Sequence, residues 1–125
     1  MAVWITYDQA KINKLIQASK QALMMTAETI RSDIIASQVV PKDVGTLERS
    51  AYIAREGLPE GKTGVGFNTP YARRLYWHPE YNFRTDKNPN AQGKWMQAYI
   101  DGEKKDFAQK QFMKFFRQLA GGLIK

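Results

Sequence analysis

Residues 9–37, QAKINKLIQASKQALMMTAETIRSDIIAS, carry apolar or small side chains at Ile12, Leu15, Ile16, Ser19, Leu23, Thr26, Ile30 and Ile34. Those steps of three and four residues trace one face of an α-helix. Lys14, Lys20, Gln21, Glu28 and Arg31 fall mostly elsewhere on the helical wheel. Asp8 precedes the run as an N-cap, because its carboxylate accepts from backbone N–H groups left free in the first turn. The pattern fades near Ser37, and Pro41 bars continuation. The spacing therefore predicts a helix over 9–37, long enough that part of it projects or packs against a neighbouring copy.

Outward from this helix the elements become short. Pro41-Lys42-Asp43-Val44-Gly45 reads as a tight turn, because proline presets one backbone angle and glycine frees another. Tyr52 and Ile53 favour an extended segment over 50–56. A loop over 56–61 follows, and then a second strand over 63–67. Val65 and Phe67 share one face of that strand and Gly64 and Gly66 the other. The two strands suit an antiparallel hairpin, whose glycine face leaves room for a helix or another subunit to approach closely. Thr69-Pro70 is a helix start, a hydroxyl cap followed by proline at the first helical position, and predicts a helix over 70–77. Residues 78–94, HPEYNFRTDKNPNAQGK, have no apolar periodicity and read as a long loop, a feature usually tied to function or disorder. Trp95, Met96 and Tyr99 suggest a helical segment broken near Asp101-Gly102. A last helix is expected over about 103–119, with Ala108, Phe112, Phe115 and Leu119 as its stripe and Gly121-Gly122 as its stop. The whole is expected to be a single domain over 1–125 of the α+β class: long N-terminal helix, short antiparallel β-hairpin, short central helix, long loop and C-terminal helix.

Composition bounds function. Hydrophobic residues make up 43% and charged residues 25% of the 125 residues, enough for a packed but modest core. There is no cysteine, which removes disulfides, thiolate nucleophiles and thiolate metal sites. Residues 1–11 lack the basic start and apolar block of a signal peptide, and no run reaches the ~18–20 apolar residues of a membrane span. Assembly in a reducing cytoplasm is the expectation. The formal charge is +7, and residues 71–125 hold eleven basic and five acidic side chains. That half attracts anionic partners such as nucleic acid or acidic protein surfaces, although a solvated surface kept soluble by its charge is an equally available reading.

The chemistry of catalysis is thin. His78 is the single histidine, which excludes multi-histidine metal sites and relays, and its place between Trp77 and Pro79 suits a local structural role. Asp101, Glu103 and Asp106 precede the last helix, where negative charge is stabilised by the helix dipole. Gly64-Val65-Gly66 lacks the third glycine of a dinucleotide fingerprint and the lysine of a P-loop. No enzyme, cofactor or metal is expected. Arg73, Arg74, Tyr76, Tyr81, Phe83, Arg84 and Trp95 form an aromatic–basic group of the composition found at binding hot spots. Such residues also stack on bases.

Three segments together resemble a known family. Residues 41–50, PKDVGTLERS, resemble the Pro…Asp-Thr-Gly-x-Leu-Arg-x-Ser motif of tailed-bacteriophage minor capsid and neck proteins. Residues 71–76, YARRLY, resemble the Tyr-Ala-x-x-x-aromatic segment after the hairpin of that family, and residues 90–96, NAQGKWM, its tryptophan-bearing stretch before the last helix. Val44 stands where the family has threonine, and Glu48 separates Leu47 from Arg49. The resemblance runs in order through residues 9–120. It implies a virion protein of the head–tail connector, acting in the neck or in tail completion as a homo-oligomeric ring. Its partners would be other connector and tail proteins, with non-specific contact to DNA in the channel and none to a membrane. The seven aromatic–basic residues are the expected partner contacts. The rival reading is a free nucleic-acid-binding protein using its basic C-terminal half. No helix-turn-helix, zinc-finger or single-strand-binding motif accompanies it.

Overall fold

The computed structural model describes residues 1–42 and 45–122. Asp43 and Val44, inside the turn read from the sequence, lie outside the described residues. The architecture is α+β, with α1 (Gln9–Ala36), α2 (Thr46–Arg49), β1 (Ala51–Ala54), β2 (Gly64–Phe67), α3 (Ala72–Tyr76) and α4 (Phe107–Ala120) in chain order. Short 3₁₀ turns at Leu58–Glu60 and Gln97–Tyr99 interrupt the connections.

The long helix starts as its cap dictates: the Asp8 carboxylate accepts from the Lys11 N–H at 3.1 Å. It ends at a left-handed Gln38, with φ 58°, three residues before Pro41. Of the residues that define the pattern only Thr26 and Ile34 are fully buried; the other deep positions are alanines. Ala18, Ala22, Thr26, Ala27 and Ile34 are buried, while Ile16 is 45% exposed. The reason is α4, which runs antiparallel along this face: Lys104, just before it, meets Asp33, and Leu119 lies beside Gln17 and Ala18. Small side chains on α1 let the aromatic stripe of α4 approach closely.

The hairpin forms with Ala51 opposite Phe67 and Ala54 opposite Gly64, each strand shorter than the sequence indicated. Gly66 is covered by the hairpin itself: a side chain there would meet the Tyr52 ring from the neighbouring strand at 2.7 Å. Gly64 faces open space. Three other expectations are corrected. The segment after Pro41 contains α2, opened by Gly45 at φ 84°, a conformation that glycine adopts without penalty. The Thr69 hydroxyl caps nothing; it is buried without a hydrogen-bond partner, and α3 begins only at Ala72 because Ala72 N–H bonds the Thr69 carbonyl in a turn. The last helix starts at Phe107, since residues 101–106 are spent in turns that tie Lys104 N–H to the Ala98 carbonyl.

A polar clamp joins the C-terminal end of α1 to the segment that leads into α4. Asp33 accepts hydrogen bonds from the Tyr99 hydroxyl and from Lys104 Nζ at 2.8 Å, and the same ammonium reaches Ser37 Oγ at 3.1 Å. Burial raises the Asp33 pKa, but the hydrogen bonds from Lys104 and Tyr99 and the charge of Lys104 outweigh it, so the carboxyl sits below its ordinary value. A depressed folded-state pKa means that the clamp contributes fully above the unfolded value of about 3.9. The contribution is lost as pH falls through the lower folded value. Asp33→Asn is therefore expected to cost about 1–2 kcal/mol at neutral pH and to flatten the acid limb of the stability profile. Urea titrations at pH 7 and pH 3 check this; an equal loss at both would refute it.

Candidate functional site

The core is where α1, α2, α3 and Trp95 converge: Ile34, Val40, Leu47, Ala72, Tyr76 and Trp95 are all buried. Trp95 is 2% exposed and receives Tyr76 and Phe67 edge-on, with ring centroids at 4.9 and 5.5 Å. T-shaped pairs place a positive ring edge against a negative face. Tyr76 and Trp95 were expected as partner contacts. The fold instead spends both on the core, so neither is available at the surface.

The long loop is built on that core. Its two ends meet, because Lys94 N–H donates to the Tyr76 carbonyl at 2.8 Å and Gly93 lies flat on Pro79, leaving only 2.7 Å for any side chain. A compact loop of this kind, closed at its base, is an Ω-loop. Three further ties fix it from inside. The buried Asn88 side chain donates to the Val40 carbonyl and to Glu48 Oε2, each at 2.8 Å. Asn90 Nδ2 reaches the Ser37 carbonyl at 3.0 Å, and Gln92 N–H the Val39 carbonyl at 2.9 Å. Glu48 also holds Lys42 at 3.3 Å, and the Ser50 hydroxyl donates to the Leu47 carbonyl and accepts from Asn68 N–H. The stretch over 45–50 that resembles the phage motif is thus the hub joining helix, hairpin and loop.

On this base the loop and α3 present an aromatic–basic surface. Tyr81, half-buried, is its centre: His78 stacks on the ring at 4.8 Å with planes 8° apart. The Arg74 guanidinium donates to the Tyr81 hydroxyl at 3.3 Å and sits 5.9 Å from the ring centroid. Phe83 follows at 6.3 Å and lines a groove of about 490 Å³ with Leu75, Tyr71, Leu47 and Arg84. Arg84 is paired bidentately with Asp86 at 2.9 and 2.6 Å, and that pairing holds the Asp86 carboxyl below its ordinary range. His78 Nδ1 does the same for Glu80 at 2.7 Å. Arg73 is exposed on the neighbouring stripe of α3. Of the seven expected contacts, Arg74, Tyr81, Phe83 and Arg84 thus lie on one connected surface, with Arg73 on the adjoining stripe.

Comparison with family models, with curated proteins and with solved structures gives no match.

Two residues missing from the expected set belong to this surface. Trp77 is 58% exposed, and Lys94 Nζ lies 5.7 Å from its ring, a cation–π arrangement. Helical spacing contains the signal: Ala72 and Tyr76 are four apart and face the core, so Arg73 and Trp77, also four apart, share the adjacent outward stripe. Among the described residues there is no group of three or more histidine, aspartate or glutamate side chains able to hold a metal, and no helix long and apolar enough to cross a membrane.

Proposed function

We propose that the chain is a structural protein of a tailed-phage virion that acts in head–tail joining, in the neck or in tail completion, through ring assembly and protein–protein contacts. The observation that carries this reading is the anchored Ω-loop: a hub made from the phage-like motif holds Arg74, Trp77, Tyr81 and Phe83 in a fixed surface. A pre-ordered surface loses little entropy on binding, and its residue types are those of interface hot spots.

The rival reading needs one continuous basic footprint. The exposed Lys105, Lys110, Lys114 and Arg117 are spread along α4 and the turn before it, from beside the C-terminal end of α1 to the end that meets α1 near Gln17. The loop attaches at Ser37 and Val39. Twenty residues of helix, about 30 Å, separate those two levels. Cations along α4 span the distance between them, so the salt dependence of DNA binding decides between the two readings.

The test is complementation of a phage deleted for this gene. The deletion is expected to accumulate DNA-filled heads beside separate finished tails, visible by negative-stain microscopy. Combined alanine replacement of Arg73, Arg74 and Arg84 is expected to leave the circular dichroism spectrum unchanged and to fail in rescue. Loss of about 2 kcal/mol per hot-spot residue weakens a contact roughly thirtyfold for each one. Normal tailed particles from the triple variant would sink this reading. DNA affinity falling steeply with salt in the purified chain would favour the rival.

A further inference from the structure

Residues 1–7 form an arm without helix or strand, and Val3, Trp4, Ile5 and Tyr7 are 89, 86, 92 and 73% exposed. Such a run of apolar surface on a folded chain marks an interaction segment. Its residue types are strand-forming, β-branched and aromatic, with Val3, Ile5 and Tyr7 on one side of an extended chain and Trp4 and Thr6 on the other.

The molecule also carries an apolar groove of about 410 Å³ with no charged side chain in its lining. Leu23, Ala27 and Ile30 of α1 form its floor, Gly64 and Val65 of β2 one wall, and Ile100 the other. No β1 residue lines it, so of the two strands it touches β2 alone, and the edge of β2 away from β1 is the free one. That edge has no third strand among the described residues, nothing stands within 4 Å of where a Gly64 side chain would be, and Ile100 at the rim is 67% exposed.

We infer that the groove receives the arm of a second copy of this chain, residues 3–7 adding as a strand beside β2. Strand addition satisfies the free backbone groups of an edge, and alternate side chains enter the pockets beneath. The tether excludes the chain's own arm. Val3 lies five residues before the capped Asp8, at most about 18 Å away. Leu23, at the near end of the groove, lies fifteen residues beyond Asp8, about 22 Å along the helix, and Ile30 about 33 Å. The uncharged arm matches the uncharged lining. This inference rests on the arm and the groove and does not depend on the neck reading.

The absence of cysteine makes a direct test possible. Ile5→Cys chains are mixed at micromolar concentration with Ile100→Cys chains, and separately with Met113→Cys chains, whose cysteine is exposed but outside the groove. Docking raises the local thiol concentration to about millimolar. Disulfide-linked dimers of the 5–100 pair are therefore expected to form about a hundredfold faster than those of the 5–113 pair. Adding Val3→Asp to the Ile5→Cys chain is expected to abolish that advantage, because it puts a carboxylate on the face that enters the groove. Equal rates in the two pairs, or an advantage that survives Val3→Asp, would overturn the inference. Because the purified chain alone is measured, neither result bears on head–tail joining.

Discussion

Trp95→Ala is expected to lower stability by about 3–5 kcal/mol, the range for truncating a large buried aromatic side chain. Three observations put this residue at the upper end. Its ring is 2% exposed, it is met edge-on by both Tyr76 and Phe67, and the backbone before it is bent to deliver it. Lys94 adopts a left-handed conformation with φ 47°, and Gly93 is pressed onto Pro79. Removal of the indole leaves a cavity shared by α1, α3 and β2 that no single element can close by moving. For a domain of this size the loss corresponds to roughly 10–25 °C in Tm, a large fraction of a stability near 5–15 kcal/mol. Thermal and urea unfolding measure it, and a loss below about 1 kcal/mol would contradict the packing described. Trp95→Phe is expected to cost far less, since it keeps both aromatic contacts and removes an indole N–H that has no hydrogen-bond partner.

The second large effect concerns Asn88. Its amide is buried and bridges the Val40 carbonyl to Glu48, so Asn88→Ala removes one neutral and one charge-assisted hydrogen bond and leaves a buried carbonyl unsatisfied. The expected cost is about 2–4 kcal/mol. The distribution of the damage is more diagnostic than its size. The loop loses its inner anchor while α1 and α4 keep theirs, so hydrogen exchange is expected to accelerate across residues 80–92 and to stay unchanged in the helices. Uniform acceleration, or none, would show that Asn88 does not hold the loop. Asn88→Asp places a carboxylate beside Glu48 and is expected to be worse than alanine at neutral pH, with partial recovery in acid as the pair takes up a proton. Because the Asn88 side chain bonds Val40 and Glu48 and the substitution leaves every exposed aromatic–basic residue in place, loss of function in these variants would separate the ordering of that surface from its chemistry.

What each residue must do here splits between neighbours in the chain and neighbours in space. The long helix, its Asp8 cap, the hairpin and the apolar stripe of α4 were legible because their causes are local. A repeat of three to four residues, a carboxylate before a first turn and alternation along a strand all act within a few positions of themselves. Even so, of the eight positions that periodicity placed on the inner face of α1 only Thr26 and Ile34 are fully buried. The close approach of α4 buries Ala18, Ala22 and Ala27 as well. The five residues of α3 make barely more than one turn, so spacing pairs Ala72 with Tyr76 and Arg73 with Trp77 but does not say which pair faces inward. Tyr76 and Trp95 therefore looked like partner contacts until Phe67, from another element, enclosed them, and Trp77 was passed over. The asparagines of residues 88–90 carried the composition of a turn, and that was all the chain order could say of them. Their acceptors lie 40 to 53 residues away, and hydrogen bonds of that span exist only once the core has brought the segments together. Local pattern was enough for the α+β class, the order of the elements other than α2, and an aromatic–basic segment after the hairpin. Only the tertiary structure decided which aromatic rings are core and which are surface, because burial depends on what packs against a side chain and not on its type.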